Sequence, residues 1–469
     1  MKSLLGRFDL SYIYAFLGEA TLGLTFVFYI ILARLLGPEE YGIFAAATAL
    51  GGILCFFFQF GLPTLIAREV AANPVEGPQY TVKFLFLELL NSIPVFLFLL
   101  PIVHLLGFEG KGIIVCYLVA LAEVCRSAKL TLRGVFRGMG KFRTETVAVA
   151  LERSFVILLS GIVLLFTRDL VLVVATLVLG RALDIFGLLY YLNRKAHIFS
   201  PINLKSLWQS LRMAYPFALS GVLLILYYQI DLLMLQRLAP AEETGFYSAA
   251  FKIIEIFSAL PRVVFLVTFT KFARCYTKEP DKLPKEIYKS ISLLLAAVLP
   301  VLVIGGFCQA FLVEKLYGEA FLPSINCLAI LIPSLGIKMF GNFVQYFLES
   351  TGREKYLPPI LLSTVIINVI ANAILIPQIG AVGAAAATLL SEIVLAVAGL
   401  TLMMRLGYYQ VGGSILLISI NSLLVASIPS LMLNGLNPFV GIGLLVSSIA
   451  MIVALMRPSQ FLKQTSKVI

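Results

Sequence analysis

The chain has 469 residues, of which 60% are apolar and 13% are charged, and its formal net charge is +11 at pH 7. Soluble domains are about 45–50% apolar and about 25% charged, so this composition excludes an ordinary soluble protein. The six cysteines and two histidines show no metal-ligand spacing, so neither a metal site nor a disulfide framework is expected.

Apolar runs of about 20 residues, the length that crosses the hydrocarbon core of a bilayer, recur along the whole chain. They predict an all-α integral membrane protein with about fourteen transmembrane helices. In chain order the predicted spans are 10–33, 42–62, 80–104, 112–132, 146–167, 170–192, 213–236, 244–270, 287–312, 322–348, 356–376, 379–404, 411–433 and 437–456. Prolines interrupt the third and tenth spans, which is tolerated where neighbouring helices satisfy the freed backbone groups.

Lysine and arginine are distributed unequally between alternate loops. The loops on the side of the N-terminus, together with the span ends next to them, hold 26 of the 36 basic residues, the opposite loops hold 5, and the other 5 lie deeper inside predicted spans. Short cytoplasmic loops are enriched in lysine and arginine, so both termini are predicted to be cytoplasmic. Anionic membrane lipids, and not nucleic acid, are the expected partner of this charge.

The sequence is internally duplicated. The first match has an offset of 203 and the other two an offset of 212, so nine extra residues are expected in the cytoplasmic loop after span 8. The matched segments are 34–47 with 237–250, 140–141 with 352–353, and 175–177 with 387–389. Because each copy holds six spans, an even number, the two copies run parallel.

Parallel repeats of this kind are typical of transporters, with the substrate path between the two halves. The sequence therefore predicts two parallel six-helix repeats around a central cavity, followed by an added C-terminal helix pair. The predicted boundaries are 1–200 for the N-terminal lobe, 201–407 for the C-terminal lobe, and 408–469 for the added pair and a cytoplasmic tail.

Several charged side chains fall inside the predicted spans, where each costs roughly 2.5–3.5 kcal/mol on insertion scales. Such groups usually face a cavity or a charged partner. The basic candidates for holding a phosphate group of a substrate are Arg262, Lys252, Lys338, Arg181 and Arg126. The acidic candidates for carrying a coupling ion are Glu255, Asp231, Glu19 and Glu88.

The strongest candidate is a charged stripe on span 8. Lys252, Glu255 and Arg262 are spaced so that all three lie on one face of a helix. Two residues three apart can also neutralise each other within one helix, and this alternative applies to Lys252 with Glu255 and to Arg181 with Asp184. A pair of that kind would be structural and would not bind substrate.

Span 4 ends in a second basic face. Arg126, Lys129, Arg133 and Arg137 lie on one side of the helix, close to its cytoplasmic end. They could form a phosphate-binding vestibule, or their long side chains could extend to lipid headgroups. The sequence leaves both interpretations open.

Several segments resemble the polysaccharide biosynthesis protein family, whose members are O-antigen-type oligosaccharide flippases of the multidrug/oligosaccharidyl-lipid/polysaccharide exporter superfamily. The likeness extends over essentially the whole chain. It is clearest in Ile31–Gly42 (ILARLLGPEEYG), Phe60–Leu62 (FGL), Ile66–Val70 (IAREV), Arg137–Lys141 (RGMGK) and Gly380–Ala384 (GAVGA).

This resemblance implies a transporter that works by alternating access in the inner membrane of a prokaryote. The implied substrate is an undecaprenyl-type lipid with a pyrophosphate-linked oligosaccharide, moved from the cytoplasmic to the outer leaflet. No cofactor is implied, and a proton or sodium gradient drives transport. The chain agrees in having no Gly-x-x-x-x-Gly-Lys-Ser/Thr loop for ATP. Polysaccharide polymerase and chain-length proteins are implied as further partners.

Two other functions stay open. A drug/cation antiporter of the same superfamily would favour an acidic, aromatic cavity, whereas basic residues are prominent within these spans. A membrane-embedded polysaccharide polymerase or ligase, which would be an enzyme, would need a large outer loop. The predicted outer loops are all short, and His104 is the only histidine near them.

Overall fold

The computed structural model divides into two units, residues 1–237 and 238–469. The predicted lobes, 1–200 and 201–407, assign the seventh span differently, and that partition stays a prediction. The structure describes the backbone of residues 10–201, 204–433 and 437–455, and side chains from residue 23 onward within these ranges, apart from 204, 206, 215–222, 259–263, 266–267, 409–414, 416 and 454–455.

The first unit consists of seven helices in its described residues. A 3₁₀ turn, Gly77–Tyr80, precedes the third of them. The helices are α1 (Leu10–Gln59), α2 (Leu62–Ala72), α3 (Thr81–Leu105), α4 (Lys111–Gly138), α5 (Phe142–Thr167), α6 (Leu170–Lys195) and α7 (Leu204–Leu238).

The second unit also contains seven helices in its described residues. They are α8 (Ala241–Phe257), α9 (Ala259–Lys278), α10 (Leu283–Tyr317), α11 (Ser324–Ser350), α12 (Leu357–Met403), α13 (Tyr409–Leu433) and α14 (Pro438–Leu455). A π-helical turn, Met404–Tyr408, joins α12 to α13. Only residues 279–282 separate α9 from α10, so the extra residues predicted in a loop after span 8 lie in a largely helical region.

Thirteen of the fourteen predicted spans correspond, within a few residues, to a helix or to part of one, whereas span 8 is divided between α8 and α9 at Ser258. The predicted all-α membrane class is confirmed. The described residues contain seven stretches long and apolar enough to cross a bilayer: 23–59, 77–105, 142–167, 170–195, 280–317, 324–350 and 354–408. Shorter apolar helices follow at Leu417–Leu433 and Pro438–Val453. Helix α4 is of similar length but carries a row of charged side chains, so it is the least apolar of the predicted spans in the first unit.

Helices α1 and α12 each contain two predicted spans joined at a sharp break. In α1 the backbone leaves helical geometry only at Gly37, with φ 81° and ψ 175°, and the helix resumes at Pro38. In α12 the break lies at Ile379 and Gly380. A polar loop was predicted at 34–41, but a single glycine makes the turn because it tolerates the positive φ that other residues avoid.

Helix α4 lies at the centre of the first unit and packs against α1, α2, α3 and α6. Gly51 on α1 allows one of these close approaches. A Cβ atom at this position would lie 2.5 Å from Val119 Cγ1 and 2.9 Å from Glu123 Cγ, both on α4. Inside a bilayer, helices associate through close packing and polar contacts because lipid is as apolar as leucine. Gly51 therefore brings α1 directly onto the charged part of α4.

Helix α11 has the same central position in the second unit, where it packs against α8, α10, α12 and α13. The duplication is visible in the helix ends. Helix α3 ends at Leu105 and α10 at Tyr317, while α4 ends at Gly138 and α11 at Ser350. Both pairs are separated by the offset of 212 found in the sequence, so α11 is the counterpart of α4. The added helix α13 packs on α10 and α11, and α14 packs on α13.

Candidate functional site

Two basic side chains of α4 are buried in the first unit and paired with acids of α5 and α6. Lys129 Nζ lies 2.6 Å from Glu152 Oε1. Arg133 Nη2 lies 3.2 Å from Glu152 Oε2 and 3.5 Å from Asp184 Oδ2. All four side chains are less than one-tenth exposed. Two cations and two acids balance each other, and we call this group the buried quartet.

The buried quartet removes Lys129 and Arg133 from both interpretations of the basic face. Lys129 and Arg133 neither extend to headgroups nor line an open vestibule, because acids inside the unit compensate their charge. Only Arg137 is well exposed, and its Nη2 lies 2.6 Å from Glu145 Oε1. If Arg126, Lys129 and Arg133 are left out of the 26 basic residues counted on the side of the N-terminus, 23 remain against 5 on the opposite side. The asymmetry that predicts the orientation therefore survives.

A second group of charges lies closer to the middle of α4, where one carboxylate contacts two arginines. Arg126 Nε lies 2.5 Å from Glu123 Oε2. Arg181 Nη1 on α6 donates to Glu123 Oε1 at 2.8 Å and to the carbonyl oxygen of Ala122 at 2.9 Å. Glu123 is buried, whereas the side chains of Arg126 and Arg181 are 37% and 19% exposed. We call these three residues the Glu123 cluster.

The Glu123 cluster carries one more positive than negative charge. Each guanidinium has five N–H donors in a planar fork, and this geometry matches phosphate or carboxylate oxygens. Because both arginines are partly exposed, some of these donors remain accessible beside the shared carboxylate. The arrangement is therefore suited to holding an anion. The alternative that Arg181 pairs with Asp184 within one helix is not what the structure has. Arg181 contacts Glu123 and Asp184 contacts Arg133, and both of these partners lie on α4.

The second unit has a simpler ion pair at the corresponding place. Lys338 Nζ on α11 lies 3.1 Å from Glu392 Oε1 on α12, and both side chains are largely buried. Lys338 lies 212 residues after Arg126, so the two basic residues occupy equivalent positions in the repeat. Glu392 lies next to Ile393, the counterpart of Arg181. A basic side chain at this position is thus common to both units.

In the span 8 stripe, Lys252 and Glu255 form the ion pair within one helix that the sequence predicted as the alternative to a binding site. Lys252 Nζ lies 2.7 Å from Glu255 Oε2, and the carboxylate is half exposed. Arg262 lies on α9, beyond the end of α8 at Phe257, so the three residues do not share one helix as predicted. The side chain of Arg262 lies outside the described part of the chain. The role of this stripe in binding substrate stays a prediction.

The other three acids predicted for ion coupling differ in their surroundings. The side chain of Glu19 lies outside the described residues, and Asp231 is buried on α7. Glu88 on α3 is 2% exposed, and its Oε1 accepts a hydrogen bond from Thr131 Oγ1 at 2.6 Å. Among the described residues its second oxygen, Oε2, has no hydrogen-bond partner.

Sequence reasoning identified the cations but did not select the acids that hold them. Glu123 lies three residues before Arg126, so helical spacing was an available signal for that contact. Glu152 is different, because both of its partners lie on another helix. No local pattern could identify it as the centre of the buried quartet.

Solved structures of membrane transporters have the same fold. The lipid II flippase MurJ in its inward closed conformation superposes with a TM-score of 0.71 at 13% identity, covering 95% of this chain and 97% of that chain. An inward-facing multidrug resistance transporter of the MATE family, in the MOP superfamily, gives a TM-score of 0.67 at 18% identity, with 81% and 92% covered. The fold is therefore that of a multi-pass α-helical membrane protein, and these solved structures share it.

Sequence comparison identifies the family. The model described as polysaccharide biosynthesis protein matches residues 11–269. An uncharacterized membrane protein of Methanocaldococcus jannaschii is 25% identical over 405 residues, which cover 82% of this chain and 94% of the relative. A putative O-antigen transporter of Shigella flexneri is 22% identical over 340 residues, which cover 69% and 80%. The chain belongs to the polysaccharide biosynthesis protein family, which confirms the resemblance seen in its motifs.

Proposed function

We propose that this chain is a flippase that moves a lipid-linked oligosaccharide from the cytoplasmic to the outer leaflet of a prokaryotic inner membrane by alternating access. The family membership supports a role in polysaccharide biosynthesis. The putative O-antigen transporter among its relatives and the lipid II flippase that shares its fold support transport of a glycan on a lipid carrier. We propose an undecaprenyl-type carrier that bears the oligosaccharide on pyrophosphate.

The Glu123 cluster is the observation that carries this proposal. A pyrophosphate-linked lipid is an anion, and bringing it into a bilayer interior requires fixed positive charge. Arg126 and Arg181 supply two guanidinium groups against the single carboxylate of Glu123, and both are partly accessible. Charge-assisted hydrogen bonds from guanidinium to phosphate are among the stronger ones in proteins.

Lys338 extends the argument to the second unit, because it is the counterpart of Arg126. In alternating access, one substrate is handled by both halves of a duplicated transporter. A basic residue at the same place in each half suits an anionic substrate. An ion gradient, of protons or sodium, would supply the driving force.

A drug/cation antiporter is the second candidate, since a multidrug transporter shares the fold. That likeness concerns the fold alone at 18% identity. The net positive charge of the Glu123 cluster argues against a cationic substrate there, because like charges would meet at the site.

The test uses the full-length protein in liposomes that contain a fluorescent undecaprenyl-pyrophosphate oligosaccharide. Flipping is measured by the loss of fluorescence to a quencher that does not cross the membrane. Arg126→Gln or Arg181→Gln should weaken apparent affinity roughly 10- to 150-fold, because a hydrogen bond to a charged group is worth about 1.5–3 kcal/mol. Arg137→Gln is the matched control, since it removes an arginine of the same helix outside the cluster.

The outcomes separate the proposals. A lipid that carries the same oligosaccharide without pyrophosphate should be a poor substrate. If the protein moves a cationic dye and leaves both lipids in place, the flippase proposal is wrong and the antiporter is favoured. If wild-type protein flips the lipid and both cluster variants match it, while folded equally well, the pyrophosphate site lies elsewhere.

A further inference from the structure

Glu88 on α3 has no basic side chain at hydrogen-bond distance among the described residues, and in this it differs from the acids of α4, α5 and α6. Those acids each lie within 3.5 Å of a lysine or arginine nitrogen: Glu123, Glu145, Glu152 and Asp184. Among the described residues, Thr131 donates a hydrogen bond to Glu88, and Glu88 Oε2 has no hydrogen-bond partner. Of the described acids in α3 to α6, Glu88 is thus the buried carboxyl group that has no basic side chain in contact.

The charged and the neutral form of such a buried carboxyl group need different partners for stabilisation. A carboxylate in an apolar interior requires a cation or several donors to offset its desolvation. A carboxylic acid needs much less, since it is neutral and has one O–H donor and a carbonyl acceptor. Thr131 can donate to Oε1 in either state, and Oε2 is the free position where the proton would bind. The site is therefore built to take up and lose one proton without rearranging an ion pair.

The repeat shows that the fold itself does not require this carboxyl. The residues 212 positions after Glu88 and Thr131 are Pro300 and Phe343, which are both apolar. Phe343 is buried on α11, as Thr131 is on α4. The same helix pair packs in the second unit without an acid, so the packing of this pair does not by itself require Glu88.

A polar line on α4 connects this site to the Glu123 cluster. Glu123, Ser127 and Thr131 are spaced four residues apart, so they lie on one face of the helix, about 6 Å apart along its axis. Ser127 is completely buried between the other two. Glu88 therefore contacts the same helical face that, two turns away, holds the proposed substrate site.

The other titratable groups around Glu88 are accounted for. On α1, Cys55 is buried and its thiol donates to the backbone oxygen of Glu123 at 3.7 Å. On α2, Glu69 lies at the surface beside Arg68, at 3.1 Å. Lys111 of α4 lies 3.8 Å from Glu40, and the remaining charged groups of α4 belong to the ion pairs described above. On α3 itself, Lys83 is buried, and its Nζ lies 5.8 Å from the centre of the Tyr80 ring.

We propose that Glu88 takes up and releases the proton that couples transport to a proton gradient. Uptake adds a proton at Oε2 and removes the negative charge, and release restores the carboxylate. The polar face of α4 transmits this change to the Glu123 cluster. This inference rests on the proposed flippase function and goes further by naming the coupling ion and its binding residue.

The experiment compares wild type, Glu88→Gln and Glu145→Gln, reconstituted at full length in the same liposomes. Glutamine keeps the shape and the acceptor for Thr131 but cannot exchange a proton. In wild type and Glu145→Gln, a gradient of one pH unit, about tenfold in proton activity, should accelerate flipping up to about tenfold. Glu88→Gln should flip equally fast with and without the gradient, and a trapped pH dye should report no substrate-dependent proton movement. Thermal unfolding of each variant shows that it is folded.

Glu88→Gln protein that still responds to the gradient would overturn the inference, and so would wild-type protein that flips lipid with no response to it. If wild type flips nothing, the flippase proposal fails, and an infrared measurement then decides the role of Glu88. The carbonyl band of a protonated carboxyl should change with pH, disappear in Glu88→Gln and persist in Glu145→Gln. Identical bands in both variants would show that Glu88 does not exchange a proton.

Discussion

The buried quartet gives the sharpest prediction about stability. In Glu152→Gln, Lys129 loses the carboxylate that lies 2.6 Å away, while Arg133 keeps Asp184 at 3.5 Å. Lys129 is then left as a buried cation without an acid in contact. Removing one partner of a buried ion pair costs about 3–5 kcal/mol. Because Arg133 keeps one acid, we expect a value near the lower limit, about 3 kcal/mol.

This loss can be read from the thermal unfolding of detergent-solubilised protein. For a unit of about 200 residues, each kcal/mol shifts the Tm by about 2–4 °C. Glu152→Gln should therefore lower the Tm by about 6–12 °C. The control is Glu145→Gln, which breaks a pair whose arginine is well exposed. Exposed pairs contribute about 0–1 kcal/mol, so this variant should stay within about 4 °C of wild type.

The double variant Lys129→Met with Glu152→Gln tests the reasoning further. It removes one cation and one acid together, and leaves Arg133 paired with Asp184. Stability and transport should both recover towards wild type, because the quartet supports the fold and lies outside the proposed binding site. A Glu152→Gln variant as stable as the control, or a double variant no better than the single, would refute this account.

Three further predictions follow from other parts of the chain. In a cysteine-free background, an impermeant thiol reagent on intact cells should label single cysteines on the outer side only, with Glu39, Glu242 and Glu319 outside and Arg137, Lys278 and Lys355 inside. Lys252→Met and Glu255→Gln should each lower stability and transport, and the double variant should restore both; loss of transport in a stable double variant would place Lys252 at the substrate. Glu243 Oε2 accepts a hydrogen bond from the backbone N–H of Ala381 at 2.7 Å, so Glu243→Gln should lower the free energy of unfolding by about 1.5–3 kcal/mol. Its counterpart in the first unit, Glu40, has only a long contact of 3.8 Å to a lysine, so Glu40→Gln should lower that free energy by less than about 1 kcal/mol in the same assay.

Hydropathy predicted the helices well because each apolar run must cover the same bilayer thickness. What it predicted less well is how consecutive spans connect. The segment 34–41 contains polar residues and reads as a loop, but Gly37 alone makes the turn and both neighbouring segments stay helical. The distinction depends on one backbone angle, which composition does not report.

The contacts at the site were harder to predict than the helices. Spacing within a helix favoured Arg181 with Asp184, since residues three apart are neighbours on its surface. In the structure α6 packs against α4, and each residue finds a closer partner there. Which of two acids an arginine meets depends on how helices are rotated against each other. That rotation is a property of the packing of α6 on α4, which only the folded unit displays.

Comparison of the two units separates charges that build the fold from charges that serve another purpose. The positions in the second unit that correspond to the buried quartet hold no charge: Gly341, Gln345, Thr364 and Ala396. The repeated architecture therefore forms without those ion pairs. Arg126 and Lys338 behave differently, because both copies keep a basic residue but pair it with acids at positions that do not correspond. Arg126 contacts Glu123 of its own helix, whereas Lys338 of α11 contacts Glu392 of α12. A cation that recurs while its partner changes is not explained by a shared ion pair. Recognition of an anion at this position of the repeat would explain it, and this supports the proposed pyrophosphate site.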